Sequence, residues 1–231
     1  MPSSTRIEIT PADAVTAVVY PAAPENRAGI ALLLAHGAGG TQMSPFMVDY
    51  AKRLAERGID AATFNFLYSE QKRRLPDRND KLEACWRAVI AAARSGALGA
   101  EIARATLAIG GKSMGGRIAS QVAAADAEGI AGLVLLGYPL HPPGRPEQLR
   151  TKHLPAIAVP MLIVQGERDT FGTPHELRPV LRALKAKAEL FVVEAGDHSF
   201  KVPKSAGVAQ AQVHARVLDE IARWLRATAG A

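Results

Sequence analysis

Apolar and polar residues alternate in two short segments near the start of the chain, Arg6 to Thr10 and Val15 to Tyr20. Alternation of this kind marks antiparallel edge strands with one wet face, and together the two predict a hairpin at a sheet edge. Further on the pattern changes to near-continuous apolar runs at Ile30 to Ala35, Ile59 to Phe66, Ala105 to Ile109, Gly132 to Leu136, Met161 to Val164 and Leu190 to Val193. Strands covered on both faces read this way, so these runs predict a central parallel sheet. Longer amphipathic stretches lie between them: Pro45 to Glu56, closed by Gly58, then Asp80 to Ala93, Met114 to Ala125, Pro174 to Ala186 and Gln210 to Leu225. Each is long enough for a right-handed helical crossover. The segment Tyr138 to Pro160 carries Pro139, Pro142, Pro143, Pro146, Pro155 and Pro160, which forbid a long helix and predict an ordered loop with one short helical turn. The order of elements is that of an α/β fold, a mostly parallel sheet with helices on both faces. Neither an internal repeat nor a low-complexity linker interrupts it, and no insertion is large enough for a cap domain, so residues 1–231 are expected to form a single domain.

Composition adds bounds to that picture. A chain of 231 residues can bury a sizeable core without disulfides or metals, and 48% hydrophobic with 22% charged residues is ordinary for a globular protein. No apolar run approaches the ~20 residues of a membrane helix. Met1 to Pro11 is polar and leads into an alternating segment, with no basic stretch and apolar run of a secretory signal, so a cytoplasmic setting is expected. The lone cysteine, Cys85, stands beside Trp86 in a predicted helix and suits a small buried hydrophobe. A net charge of +6 raises nucleic acid as a partner. The basic residues are nevertheless spread along the chain, only Lys72, Arg73 and Arg74 form a compact run, and no nucleic-acid motif accompanies them, so none is expected.

The chemistry gathers at Ile109-Gly110-Gly111-Lys112-Ser113-Met114-Gly115-Gly116, where an apolar strand runs into a glycine-flanked serine and then a helix. This is the G-x-S-x-G nucleophile elbow in its required context, with Ser113 as candidate nucleophile. The helix that follows points free amides and a partial positive charge at the reacting centre, so the Met114 N–H can hold a developing oxyanion. A second donor is expected from the glycine-rich loop His36-Gly37-Ala38-Gly39-Gly40, at the N–H of Ala38. His36 itself, before a glycine turn, reads as a loop-holding residue.

Serine needs a base, and the base needs an orienting acid. After Met161 to Val164 comes Gln165-Gly166-Glu167-Arg168-Asp169, and after Leu190 to Val193 comes Glu194-Ala195-Gly196-Asp197-His198. Both loops leave the C-terminal ends of parallel strands, where open α/β sheets build their sites, and the order Ser113, Asp169, His198 is the order of this chemistry on such a sheet. Glu167 and Asp197 compete with Asp169 for the role of acid. Other motifs fail at single residues. A P-loop ending in Gly111-Lys112-Ser113 would need glycine where Thr106 stands, and a dinucleotide fingerprint starting at Gly37 would need glycine at Gln42. The histidines lack metal-binding spacing. No metal and no cofactor are expected.

With the glycine-rich loop, elbow, acid loop and histidine loop all present, the chain resembles the α/β-hydrolase superfamily, in particular its compact dienelactone-hydrolase-like members. A closer likeness is to a hydrolase-like subfamily with testis-expressed and chromatin-complex members. It is carried by Phe64-Asn65-Phe66, Arg73-Arg74-Leu75-Pro76-Asp77, Tyr138-Pro139-Leu140-His141-Pro142-Pro143-Gly144 and Gln165-Gly166-Glu167-Arg168-Asp169. Dienelactone hydrolases proper use cysteine at the elbow, where this chain has Ser113, so their substrate is not carried over. The expected activity is hydrolysis of an ester-like bond in a small-molecule acyl substrate. Tyr68, Arg73 and Arg74 after one strand, and Tyr138 and His141 after another, are the expected substrate contacts. A reading from another class stays open here, a catalytically silent hydrolase-fold protein that binds partners through its surface. Oligomeric state is not legible.

Overall fold

A computed structural model describes residues 1–230. Among them, eight strands form one sheet in the order β1-β2-β4-β3-β5-β6-β7-β8. The strands are β1 Ser3–Thr10, β2 Asp13–Tyr20, β3 Ile30–Ala35, β4 Ile59–Phe64, β5 Thr106–Lys112, β6 Gly132–Leu136, β7 Met161–Gly166 and β8 Ala188–Val193. β1 and β2 pair antiparallel, β2 meets β4 antiparallel, and β3 to β8 run parallel. This is the mostly parallel α/β architecture expected from the hydrophobic pattern, with an antiparallel hairpin at one edge and no separate cap domain.

The helices are α1 Pro45–Ala55, α2 Leu67–Glu70, α3 Asn79–Arg94, α4 Ala100–Arg104, α5 Met114–Ala125, α6 Pro174–Arg182 and α7 Gln210–Ala229. None is long and apolar enough to cross a membrane. The unbroken apolar strands have a simple cause. Successive side chains point to opposite faces, and both faces are covered. On β3, Leu33 joins a core with α3, α5 and α6, while Leu32 and Leu34 join one with α1 and α7. Each such leucine, fully withdrawn from water, contributes about 1.5–3 kcal/mol before entropy is counted.

Differences from the predicted elements are local. β4 ends at Phe64, not Phe66, because Asn65 turns its side chain to the Gln42 N–H and to Glu70, and the short α2 starts at Leu67. β5 continues past Ile109 to Lys112: Gly110 and Gly111 keep register with Leu34 and Ala35 on one side and Val134 and Leu135 on the other. α6 stops at Arg182 instead of Ala186, since β8 already pairs with β7 from Ala188. The proline-rich segment is a loop whose only regular element is the 3-10 turn Leu154–Ala156. The short α4 had no expectation at all.

The parallel strands β3, β5, β7 and β8 all deliver their C-terminal ends to one edge of the sheet. Loops rich in glycine and polar residues follow them there.

Candidate active site

Ser113 stands between β5 and α5 at φ 51° and ψ −116°, in a backbone region that a side chain adopts only under constraint. Two glycines make that turn possible. A Cβ on Gly111 would come within 2.3 Å of the Ala35 carbonyl oxygen, and one on Gly115 would meet the same atom at 2.3 Å. The elbow is therefore pressed onto the end of β3, and only glycine fits the contact. The Ser113 N–H donates to the Leu136 carbonyl at 2.9 Å, and the Arg117 N–H donates back to the Ser113 carbonyl at 3.0 Å.

Loops after β7 and β8 bring two more groups to this point. His198 Nε2 lies 2.9 Å from Ser113 Oγ, and His198 Nδ1 lies 2.7 Å from Asp169 Oδ2. An ionised carboxylate only accepts, so the imidazole proton belongs on Nδ1, leaving the Nε2 lone pair to accept from the serine hydroxyl. Asp169 is 1% exposed, yet both of its oxygens are satisfied. Oδ1 accepts from the Phe171 N–H at 2.8 Å and Oδ2 from Gln165 Nε2 at 2.8 Å, besides the histidine. The Phe171 ring covers the imidazole, with centroids 4.3 Å apart. The two competing carboxylates have other work: Glu167 accepts from the Ala195 N–H at 2.6 Å, and Asp197 accepts from the N–H groups of Ser199 and Lys201. Glu167 thus ties the loop after β7 to the loop after β8, and Asp197 closes its own loop.

The glycine-rich loop after β3 lies against the serine, so close that a Cβ on Gly37 would stand 3.4 Å from Ser113 Cβ. Ala38 and Met114 both line the space in front of Ser113. Met114 opens α5, where an N–H has no partner within the helix. His36 holds the loop from beneath, accepting from the Phe66 N–H at Nε2 and donating from Nδ1 to the Gly37 carbonyl at 2.8 Å. Burial lowers its pKa, keeping it neutral.

These groups open on a cleft of about 1000 Å³ at the C-terminal edge of the sheet. One arm lies over α3 and α5, lined by Pro76, Asp77, Leu82 and Arg117; the other lies over α1 and α7, lined by Phe46, Tyr50, Gln210 and His214. The expected substrate contacts fall elsewhere. Tyr68 is 1% exposed and turns its hydroxyl under the loop after β3; Tyr138 is 2% exposed and donates to the Arg150 carbonyl at 2.7 Å. His141 is buried between the Pro142 carbonyl and Glu176. Arg73 pairs with Asp77 at 2.7 Å, and neither it nor the exposed Arg74 lines the cleft. The tips of Tyr68, Arg73, Tyr138 and His141 are taken up by protein groups, the Gly37 carbonyl, Asp77, the Arg150 carbonyl and Glu176. Of that stretch, Pro76 and Asp77 face the cleft instead.

Two residues at the site escaped sequence reasoning. Gln165, fully buried at the end of β7, ties Asp169 to the Gly172 carbonyl with Nε2 and accepts from the Tyr138 N–H with Oε1. A polar residue closing an apolar strand was the available signal. Lys112, inside the elbow, donates from Nζ to the His198 carbonyl at 2.6 Å, and burial lowers its pKa to about 8. A second serine–histidine contact, Ser120 Oγ to His153 Nε2 at 2.8 Å, lies apart from the cleft. Ser120 is fully buried on α5 and donates to the Arg117 carbonyl, which leaves no approach for a substrate.

Comparison with known proteins places these observations. Residues 28–226 match the family described as Alpha/beta hydrolase domain. An alpha-beta serine hydrolase homologue from Coxiella burnetii superposes with a TM-score of 0.71 at 20% identity, over 97% of this chain and 95% of that one. A dienelactone hydrolase from Anabaena variabilis gives 0.74 at 18% identity over 97% and 96%. A serine hydrolase without a lid from Xanthomonas campestris gives 0.69 at 20% identity over 98% and 93%. At these identities the likeness is one of fold.

Proposed function

Since the chain belongs to the alpha/beta hydrolase domain family, we propose that it is a single-domain serine hydrolase that cleaves an ester-like bond of a small molecule, a carboxylester, thioester or lactone, through an acyl-enzyme. The observation that carries this reading is the chain of hydrogen bonds from Ser113 through His198 to Asp169, opening on a cleft large enough for a substrate. His198 takes the proton of Ser113 as the hydroxyl attacks the carbonyl carbon. Asp169, held by Gln165 and the Phe171 N–H, stabilises the imidazolium that forms. The amides of Ala38 and Met114 receive the negative charge on the carbonyl oxygen. The leaving group departs with the proton from His198, and water attacks the acyl-enzyme with His198 again as base.

The finer likeness to the testis-expressed and chromatin-complex hydrolases, and a cytoplasmic setting, belong to the same reading, and the motifs quoted above support the likeness. Purified wild type is expected to hydrolyse short p-nitrophenyl esters, and folded Ser113→Ala to lose at least about 10⁴-fold in kcat. Wild type is also expected to react with a fluorophosphonate probe at Ser113. Folded wild type that neither turns over esters nor labels would defeat the proposal.

A further inference from the structure

The arm of the cleft over α3 and α5 holds two guanidinium groups. Arg117 lies one helical turn beyond Ser113, and helical side chains lean toward the N-terminus, so it leans toward the serine. Arg150 stands midway along the proline-rich loop with its backbone pinned twice, the N–H donating to the Leu140 carbonyl at 2.8 Å and the carbonyl accepting from Tyr138. Both line the cleft. Among the described residues, no carboxylate lies within ion-pair distance of either; the side chain of Arg117 reaches only Asn79 Oδ1, at 3.4 Å. Glu83, the acidic neighbour of Arg117, is bound to Arg87 at 3.1 Å, and Asp77 is bound to Arg73. Burial and the charge of Arg150 both lower the pKa of Arg117, so the two cations face a common space at mutual cost. An anion placed between them would offset that cost.

We propose that this arm is a subsite for a carboxylate, and that the substrate of the hydrolase is an ester whose acyl part ends in one. The inference rests on the hydrolase reading above. A guanidinium presents a planar fork that matches a carboxylate in two parallel hydrogen bonds. Asp77 on the same arm limits the negative charge that fits, which favours a monoanion over a phosphate dianion. Leu82 and Pro139 line the same cleft as Ser113, Arg117 and Arg150, so an acyl chain held with its carbonyl at Ser113 has apolar surface beside the two guanidinium groups.

The test compares p-nitrophenyl hydrogen adipate with p-nitrophenyl hexanoate, two acyl chains of equal length that differ in a terminal carboxylate, after subtraction of spontaneous hydrolysis. Wild type is expected to favour the acid ester by about tenfold to a hundredfold in kcat/KM, mostly through KM. The preference should shrink with added salt. Arg117→Gln and Arg150→Gln should each reduce the ratio, and the double variant should bring it to about one. Arg117→Lys should keep part of it. The ratio is taken within each variant, so a general loss of folded protein cancels. Turnover of both esters that depends on Ser113 with no preference for the acid would overturn the subsite and leave the hydrolase standing. Absence of Ser113-dependent turnover of either would count against the hydrolase instead, and the subsite is then read by calorimetric titration with monomethyl adipate. Saturable binding to wild type that is lost in the double variant supports it; no binding to wild type overturns it.

Discussion

Asp169 reaches His198 with one oxygen that is shared with Gln165, and the amide of Gln165 has no solvent to fall back on. Replacing Gln165 by Leu keeps the volume but strands the Tyr138 N–H and the Gly172 carbonyl and leaves Asp169 freer to rotate. A loss of about 2–4 kcal/mol in urea denaturation is expected, together with a fall in kcat of about tenfold or more. Asp169→Asn separates orientation from charge. Its amide can donate to Nδ1, which drives the proton to Nε2, where it can no longer accept from Ser113. Turnover should fall by about 10⁴ with the fold intact by circular dichroism. Lys112 gives a pH signature. Burial holds its folded pKa at about 8, below the ordinary 10.5. Between those values the unfolded chain binds more protons than the folded one, so this residue makes stability rise with pH across that window, and below it the full desolvation cost is present. The stability of wild type relative to Lys112→Met should therefore improve from about pH 7 to about pH 10, measured by denaturation at both. An unchanged difference would contradict the burial of a charged amine there.

At the scale of elements, the elbow depends on how closely α5 approaches β3. Gly115 is the contact point, where an added Cβ would also stand 2.7 Å from the His36 carbonyl oxygen, and the Gly115 carbonyl accepts from Trp86 Nε1 of α3 at 3.3 Å. Gly115→Ala inserts a methyl against backbone that cannot yield as a side chain would. The cost should be at least about 2 kcal/mol, and because Ser113 begins the same turn, activity should fall further than the folded fraction does. Active-site titration beside a denaturation curve separates the two losses. Similar economy explains the proline-rich loop, whose buried tyrosine and histidine fasten the chain while its middle delivers Arg150 to the cleft.

Across the whole molecule, three histidines outside the Ser113–His198–Asp169 chain are kept neutral by burial: His36, His214 and His153, the last lowered to about 4 with Arg117 adding to the shift. Unfolded histidines take up protons near 6.5, folded ones here do not, so the unfolded state gains stability as pH falls from about 6.5 toward 4. Acid denaturation should start within that range, and His153→Gln should flatten the slope, read as the unfolding midpoint in urea at a series of pH values. A slope unchanged in the variant would place the acid sensitivity elsewhere.

The periodicities of the chain were enough to determine the sheet, its edge hairpin and the crossover helices, because burial on two faces leaves an apolar run and burial on one leaves alternation. They also determined which residues arrive at the C-terminal edge. Ser113, Asp169 and His198 each follow a parallel strand, and parallel strands end together. Their distances, and the identity of the cleft lining, were decided by tertiary structure alone. Tyr68, Tyr138 and His141 follow strands at the right edge but turn inward, where their own buried polar tips find a carbonyl or carboxylate. Gln165 and Lys112 turn toward the site for the same reason. Which polar group satisfies which is a question about neighbours far apart in sequence, and local pattern carries no record of it.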